Sequence, residues 1–302
     1  MLFHKIPQHR KGLILISLTA FLWSSSGLFI KILSLDAFQI LFYRSSIAAL
    51  TIFIISLIRN RKLNFERDLI SNLCAVSFAG ILILFVISNK LTTAANAIFL
   101  QFTAPIYLLF LEPVFLKTKF SKKNLITIVI CIFGMILFFF GKLEIGNILG
   151  NIVAIFAGLS FAFFSLFLKW KKQIHGNTNT INNVIVGNII VTVFCIPFVY
   201  NKLALNLTES MILIYMGVIQ IGISYMIFNE GMKYVSATES MIIAMLEAIF
   251  NPIWVFIGIG EKPSAYAIAG GLIILSAILF HNFVLKRKES LATEAQRNTK
   301  LL

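Results

Sequence analysis

The chain has 302 residues, 59% of them hydrophobic and 13% charged, with a mean hydropathy of +0.91. That composition cannot clothe a water-facing surface, so an ordinary soluble domain is excluded and the solvent is lipid. The net charge of +14 does not require a nucleic acid, because the basic residues sit in short loops between apolar runs, where membrane topology accounts for them.

A spanning helix takes roughly 20 apolar residues to cross about 30 Å of hydrocarbon. Backbone in lipid must satisfy its own hydrogen bonds, so the long apolar runs predict helices, and the alternation of barrel strands is absent. In chain order the predicted spans are 12–33, 37–58, 69–89, 93–115 and 124–141, followed by 147–168, 180–200, 209–231, 236–259 and 265–285. The basic start MLFHKIPQHRKG leads into a first span without a persuasive cleavage site, so a retained helix is expected rather than a signal peptide. The connections are short, which confines function to the helix bundle and its mouths.

Lys5, Arg10, Lys11, Arg59, Arg61, Lys62, Arg67, Lys117, Lys119, Lys122, Lys123, Lys169, Lys171, Lys172, Lys233 and a C-terminal group from Lys286 onward fall on one side of this topology. The opposite side has one lysine per loop, Lys31, Lys90, Lys142, Lys202 and Lys262. Retention of positive charge on the inner side then predicts a multi-pass protein of a bacterial-type inner membrane with both termini cytoplasmic. Placing the second half on the first at an offset of 143 needs no gap over about 85–137 and pairs Phe85 with Phe228, Lys90 with Lys233 and Ile106 with Ile249. Five helices per half, an odd number, would make the two halves inverted repeats that can rock about a midplane site.

Three segments carry a resemblance. GLILISLTAFLWSSSGLFIK (Gly12 to Lys31), FYRSSIAAL (from Phe42) and AMLEAIFNPIWVFIGIGE (Ala244 to Glu261), the last followed by Gly270 and Gly271, resemble the EamA-type branch of the drug/metabolite transporter superfamily. The chain departs from the pattern at Ala248, where a Pro is usual, and at Thr118, which aligns with Glu261. The resemblance implies an all-α integral membrane protein of ten transmembrane helices in two inverted five-helix repeats, 1–143 and 144–287, with a polar cytoplasmic tail at 288–302. It also implies a central cavity and transport of metabolites, often amino acids or related compounds.

Polar groups at membrane depth are costly and mark candidate sites, at about 2.5–3.5 kcal/mol for a central charge on insertion scales. Arg44, about seven residues into the second span, suits a substrate carboxylate or phosphate through its bidentate guanidinium; the structural alternative is a snorkelling or helix-bridging side chain. Glu247, about eleven residues into the ninth span, is a candidate for a substrate ammonium or a coupling proton, or else a neutral hydrogen-bonding partner. Helical spacing places Ser240, Ala244, Glu247, Asn251 and Trp254 on one stripe expected to face the cavity, with a kink at Pro252. Trp23, Tyr43, Gln101, Asn188, Gln220 and Tyr225 are weaker candidates that can equally pack or glue helices. Pro105 is a candidate hinge. Glu230 and Glu239, flanking Lys233, are candidates for an interfacial gate, and Glu112 is expected to be interfacial too.

Cys74, Cys131 and Cys195 form no CxxC pair, His4, His9, His175 and His281 lack ligand spacing, and no GxxxxGK[ST] loop exists. No metal, no cofactor, no ATP hydrolysis and no enzyme activity are therefore expected. The sequence reads as a secondary transporter, an exporter of an amino acid or related zwitterion, with Arg44 and Glu247 as opposite poles. Its partners are a small-molecule solute and membrane lipid, with no nucleic acid, as a monomer or homodimer. An organic-anion or drug/amine carrier of the same fold, and a channel or non-transporting subunit, are the alternatives.

Overall fold

The structure is a computed structural model that describes residues 7–59, 68–138, 140, 147–174, 180–259 and 264–281. Expectations at His4, Lys5, Arg61, Lys62, Arg67, Lys142, His175, Glu261, Lys262 and the tail 288–302 lie outside those residues. Every regular element among them is helical: α1 (Gln8–Trp23), α2 (Ser26–Ile32), α3 (Ala37–Ile58), α4 (Leu69–Leu91), α5 (Ala94–Gln101), α6 (Ala104–Leu116) and α7 (Lys122–Phe138). After these come α8 (Ile148–Ile174), α9 (Ile181–Val199), α10 (Leu207–Tyr215), a π-helical stretch Met216–Ile223, α11 (Ser224–Gly231), α12 (Ala237–Ala244), α13 (Leu246–Ile259) and α14 (Ala265–Leu279).

Helix starts follow from side-chain oxygens that accept orphan backbone N–H groups. Asp36 and Asn206 form capping boxes with Gln39 and Glu209, and Asp68, Thr93, Ser236 and Ser264 cap α4, α5, α12 and α14. Among the described residues seven helices, counted across their local breaks, are long and apolar enough to cross a membrane: Gln8–Ile32, Ala37–Ile58, Leu69–Leu91, Asn96–Leu116, Ile148–Ile174, Ile181–Val199 and Leu207–Gly231. The remaining predicted spans are shorter as described, because 124–141 and 265–285 run into undescribed residues and 236–259 is interrupted at Met245.

The side-chain distribution is that of a protein in lipid. Leu50, Ile58, Val114, Ile126 and Phe133 are exposed, whereas Arg44, Asn188, Gln220 and Glu247 are buried. α4 packs on α8 and α9, α3 on α9 and the π-helical stretch, and α1 on α11 and α12. α1 begins with Lys11 Nζ donating to Tyr234 Oη at 3.2 Å, and α2 ends beside Lys90 and Thr92. At 1.5 Å rise per residue the two ends of that 25-residue span lie roughly 35 Å apart. Lys11, Lys169, Lys172 and Lys233 sit at one end, and Lys31 and Lys90 at the other.

α7 and α14 form a peripheral pair whose backbones meet at Gly134 and Gly270. A Cβ on Gly270 would lie 2.4 Å from both the Gly134 carbonyl oxygen and the Phe138 amide nitrogen, whereas one on Gly271 meets only Phe138 ring atoms at 3.7 Å and the Ile249 side chain at 3.8 Å. Overpacking of this kind costs about 1–3 kcal/mol. Gly270→Ala is therefore expected to lower the unfolding temperature in detergent and Gly271→Ala to leave it nearly unchanged; equal shifts would contradict the close approach.

Candidate functional site

Four helical spans lose regular α-geometry in the bundle interior, each for a local chemical reason. Between α1 and α2, the hydroxyls of Ser24 and Ser25 donate to Phe21 O at 2.6 Å and Leu22 O at 3.4 Å, competing with the helix ladder. Between α5 and α6, Thr103 Oγ1 turns back to Leu100 O at 2.7 Å. Pro105, at the start of α6, brings no N–H to continue the ladder. Between α12 and α13 the chain tightens at Met245, with Ala248 N donating to Met245 O at 3.1 Å. The fourth irregularity is the π-helical stretch itself. Gly217 lets it lie against α3, since a Cβ there would be 3.0 Å from the Arg44 carbonyl oxygen, and π segments are frequent at functional sites.

These irregularities border one small internal cavity. It is lined by Trp23 and Ser26 beside the first break, Gln101 beside the second, Gln220, Ile221 and Tyr225 in and after the π stretch, and Glu247 beside Met245. Continuous helices complete it, with Arg44 from α3, Ile81, Leu82 and Phe85 from α4, and Phe161 from α8. Interrupted helices of this kind are tolerated at membrane depth where they line a cavity. The cavity volume is about 30 Å³, which is the liquid volume of one water molecule. All twelve lining residues are buried, so the site is closed and collapsed onto its own aromatic rings. Trp23 packs 4.7 Å from Tyr225 and 5.5 Å from Phe161, centroid to centroid.

The polar groups are incompletely satisfied. Arg44 is 1% exposed, and its Nη2 donates to Leu82 O at 3.3 Å while its Nε has no hydrogen-bond partner. Gln101 Oε1 and Gln220 Oε1 are also buried acceptors without a donor. Glu247 is 3% exposed, and among the described residues no ion pair joins it to Arg44. Tyr225 is within electrostatic reach of both. Trp23 Nε1 donates to Ser224 Oγ at 2.9 Å, and Gln220 Nε2 donates to Ser25 Oγ at 3.1 Å. The arrangement offers one strong donor and several acceptors, the complement of a ligand with an anionic group and several N–H groups.

Of the residues singled out in the sequence, Trp23, Arg44, Gln101, Tyr225 and Glu247 share this cavity, and Gln220 joins them. Tyr43 does not: its Oη donates to Leu203 O at 2.7 Å at the Lys31 end, because adjacent helical residues point about 100° apart. Asn251 lies one turn beyond Glu247 but also misses the cavity. Its Nδ2 donates to Ser24 O at 2.8 Å, while Trp254 Nε1 donates to Ser24 Oγ at 2.7 Å, so both latch α13 to the first break. The stripe from Ser240 to Trp254 is cut at Met245, and the interruption of that span falls there rather than at Pro252, through which α13 continues. Asn188 bonds within its own helix, to Val184 O at 2.9 Å. Lys233 pairs with Glu230 at 2.7 Å, but Glu239 pairs with His9 at 2.8 Å instead.

Glu112 lies near the bundle end that carries Lys233, but it is buried rather than solvent-facing. It is 5% exposed and accepts Ala237 N at 3.2 Å, Thr238 N at 2.8 Å and the Thr238 hydroxyl, so it caps α12 from α6. Beside it lies a polar recess of about 240 Å³ lined by residues including Lys119, Lys123, Glu239 and His281. Among the described residues no group of three or more His, Cys, Asp or Glu could hold a metal ion. Ser26, Phe85 and Phe161 went unnoticed in the sequence, since a serine among serines and phenylalanines in apolar runs carry no signal of their own.

A closed polar cavity between interrupted helices is the architecture in which membrane transporters place their solute sites. The EamA-like transporter family matches residues 10–140 and again 148–283, and the chain belongs to that family. It is similar, at 23% identity over 280 residues, to an uncharacterized transporter of Archaeoglobus fulgidus, covering 88% of this chain and 95% of that one. The pseudopaline exporter CntI of Pseudomonas aeruginosa is likewise 23% identical over 281 residues, covering 89% and 95%. A solved crystal structure superposes with a TM-score of 0.76 over 92% of this chain and 98% of its own, at 13% identity, which speaks to the fold alone.

Proposed function

We propose that the protein is a secondary transporter, not an enzyme, that exports a small zwitterionic metabolite, an amino acid or related compound, by alternating access. The observation that carries this reading is the shared cavity. Arg44, with its unpartnered Nε, supplies the anion pole, and Glu247 with the free Oε1 atoms of Gln101 and Gln220 supplies the ammonium pole. Trp23, Tyr225 and Phe161 add ring faces that favour a cation or an apolar side chain. A carrier built as ten helices in two inverted repeats is supported by the two family matches. It is supported further by the breaks at Phe102–Thr103 and Met245, which fall at equivalent positions when the halves are offset by 143. The basic residues at the Lys11 and Lys233 end support an inner-membrane orientation with that end in the cytoplasm. Export by a relative of similar size, CntI, supports the direction.

The test is saturable flux of a labelled panel of amino acids, amines and organic anions in proteoliposomes under an imposed proton gradient. Selective, saturable movement of zwitterions is expected. Movement of anions alone would transfer the role to Arg44 without Glu247, and unsaturable conductance would identify a channel.

A further inference from the structure

Beyond the central cavity, lysines tie helix ends together at both extremities of the bundle. At one extremity α2 and α4 exchange caps. Lys31 Nζ donates to Thr92 O at 3.0 Å, and Lys90 Nζ donates to Leu33 O at 3.0 Å; Thr92 and Leu33 are the residues that close α4 and α2. At the other extremity Lys169 Nζ donates to Val235 O at 2.7 Å and Met232 O at 3.1 Å, and Lys172 Nζ donates to Asn229 O, all three carbonyls lying at or just past the end of α11. The last carbonyls of a helix have no intrahelical donor and carry the negative end of its dipole, so an ammonium is their natural partner.

One acceptor carbonyl of each set is related to the other by the internal repeat, whereas the lysines are placed similarly but not at the same offset: Lys31 and Lys169 are 138 residues apart, and Lys90 matches Lys233 rather than Lys172. Thr92 and Val235 are 143 residues apart, the offset that also superposes the break at Phe102–Thr103 on that at Met245. Lys31 lies in the last turn of the first span and Lys169 in the last two turns of α8, which opens the second half. In each half, then, a lysine near the end of the opening span holds the carbonyl at the turn that leads into a broken span. That broken span carries Gln101 in one half and Glu247 in the other.

We infer that Lys31 and Lys169 are the paired gate residues of the carrier. Each latches shut one end of the path to the cavity, and alternating access releases one latch while the other holds. This rests on the transport reading above. The two latches are unequal. At the Lys169 end Glu112 also caps α12, and His9 pairs with Glu239, whereas Lys31 is exposed and Lys90 only half-buried. Lys202–Asp36 and Thr92–Asn151 also tie the Lys31 end, but its latch lysine is the more exposed of the two, so that end is the one expected to open more easily.

The experiment reads access to the cavity and needs no solute. Ser26→Cys is placed on a background in which Cys74, Cys131 and Cys195 are changed to Ala, and a membrane-impermeant thiol reagent is applied to right-side-out and inverted vesicles. Lys31→Met is expected to raise labelling about tenfold from the Lys31 face alone, as the loss of one charge-assisted hydrogen bond implies. Lys169→Met should raise it from the opposite face alone and by less, and Lys31→Arg, which keeps a donor, should stay near the parent rate. Should a Met variant not purify as a monodisperse protein, Lys90→Met and Lys172→Met interrogate the same two ends. Unchanged labelling in folded variants, or opening of the same face by both, overturns the assignment. Correct labelling with no flux of any panel member would leave the latches standing and remove the proposed solute.

Discussion

Arg44→Gln is expected to abolish most saturable zwitterion flux while the protein stays folded, and Glu247→Gln is expected to do the same with a different pH signature. Removing one partner of a buried charged contact costs about 2–5 kcal/mol, which corresponds to roughly 30- to 5,000-fold in affinity. Among the described residues Arg44 makes one side-chain hydrogen bond, to Leu82 O, so less of its loss should be spent on stability than for a fully paired buried charge. In proteoliposomes, wild-type flux that responds to an imposed proton gradient should become insensitive to it in Glu247→Gln but not in the residual activity of Arg44→Gln. A Glu247→Gln variant that keeps full flux and its pH response would remove the carboxylate from the mechanism and leave Arg44 alone as a binding residue.

The second large effect is structural. Glu112→Ala strips the α12 start of an acceptor for Ala237 N, Thr238 N and the Thr238 hydroxyl. An orphaned buried donor costs about 1–3 kcal/mol. With two backbone N–H groups exposed to that penalty, the unfolding temperature in detergent is expected to fall by roughly 5–10 °C. Glu230→Gln, which loosens a half-exposed pair with Lys233, is the internal comparison and should cost no more than about 1 kcal/mol. Equal effects from the two changes would mean that Glu112 does not hold α12.

Depth was the quantity legible in the sequence. A charge or amide within an apolar run must be sheltered from lipid, and that argument alone brought Arg44, Gln101, Gln220 and Glu247 to the same cavity. Azimuth was legible only in part. Tyr43 has nearly the depth of Arg44 but points elsewhere, and Asn251 shares a face with Glu247 yet meets Ser24 first. The helix breaks at Ser24–Ser25 and Met245 carry no Gly or Pro at the break itself. They arise from hydroxyls turned onto backbone carbonyls and from a tightened turn, which propensity does not reveal. The Glu112 cap joins residues 125 and 126 apart, a pairing that one sequence cannot show.

The cavity's small size, about 30 Å³, bears on what the protein does when it has nothing to carry. A cavity with room for at most a few waters, packed by aromatic rings, is no continuous file of water between the two faces, and without such a file protons and small ions have no ready route. In this closed form the unloaded carrier is therefore expected to conduct little, which leak of an ion gradient across proteoliposomes would check. A membrane holding it could then store energy as an ion gradient without that gradient draining through it between transport cycles.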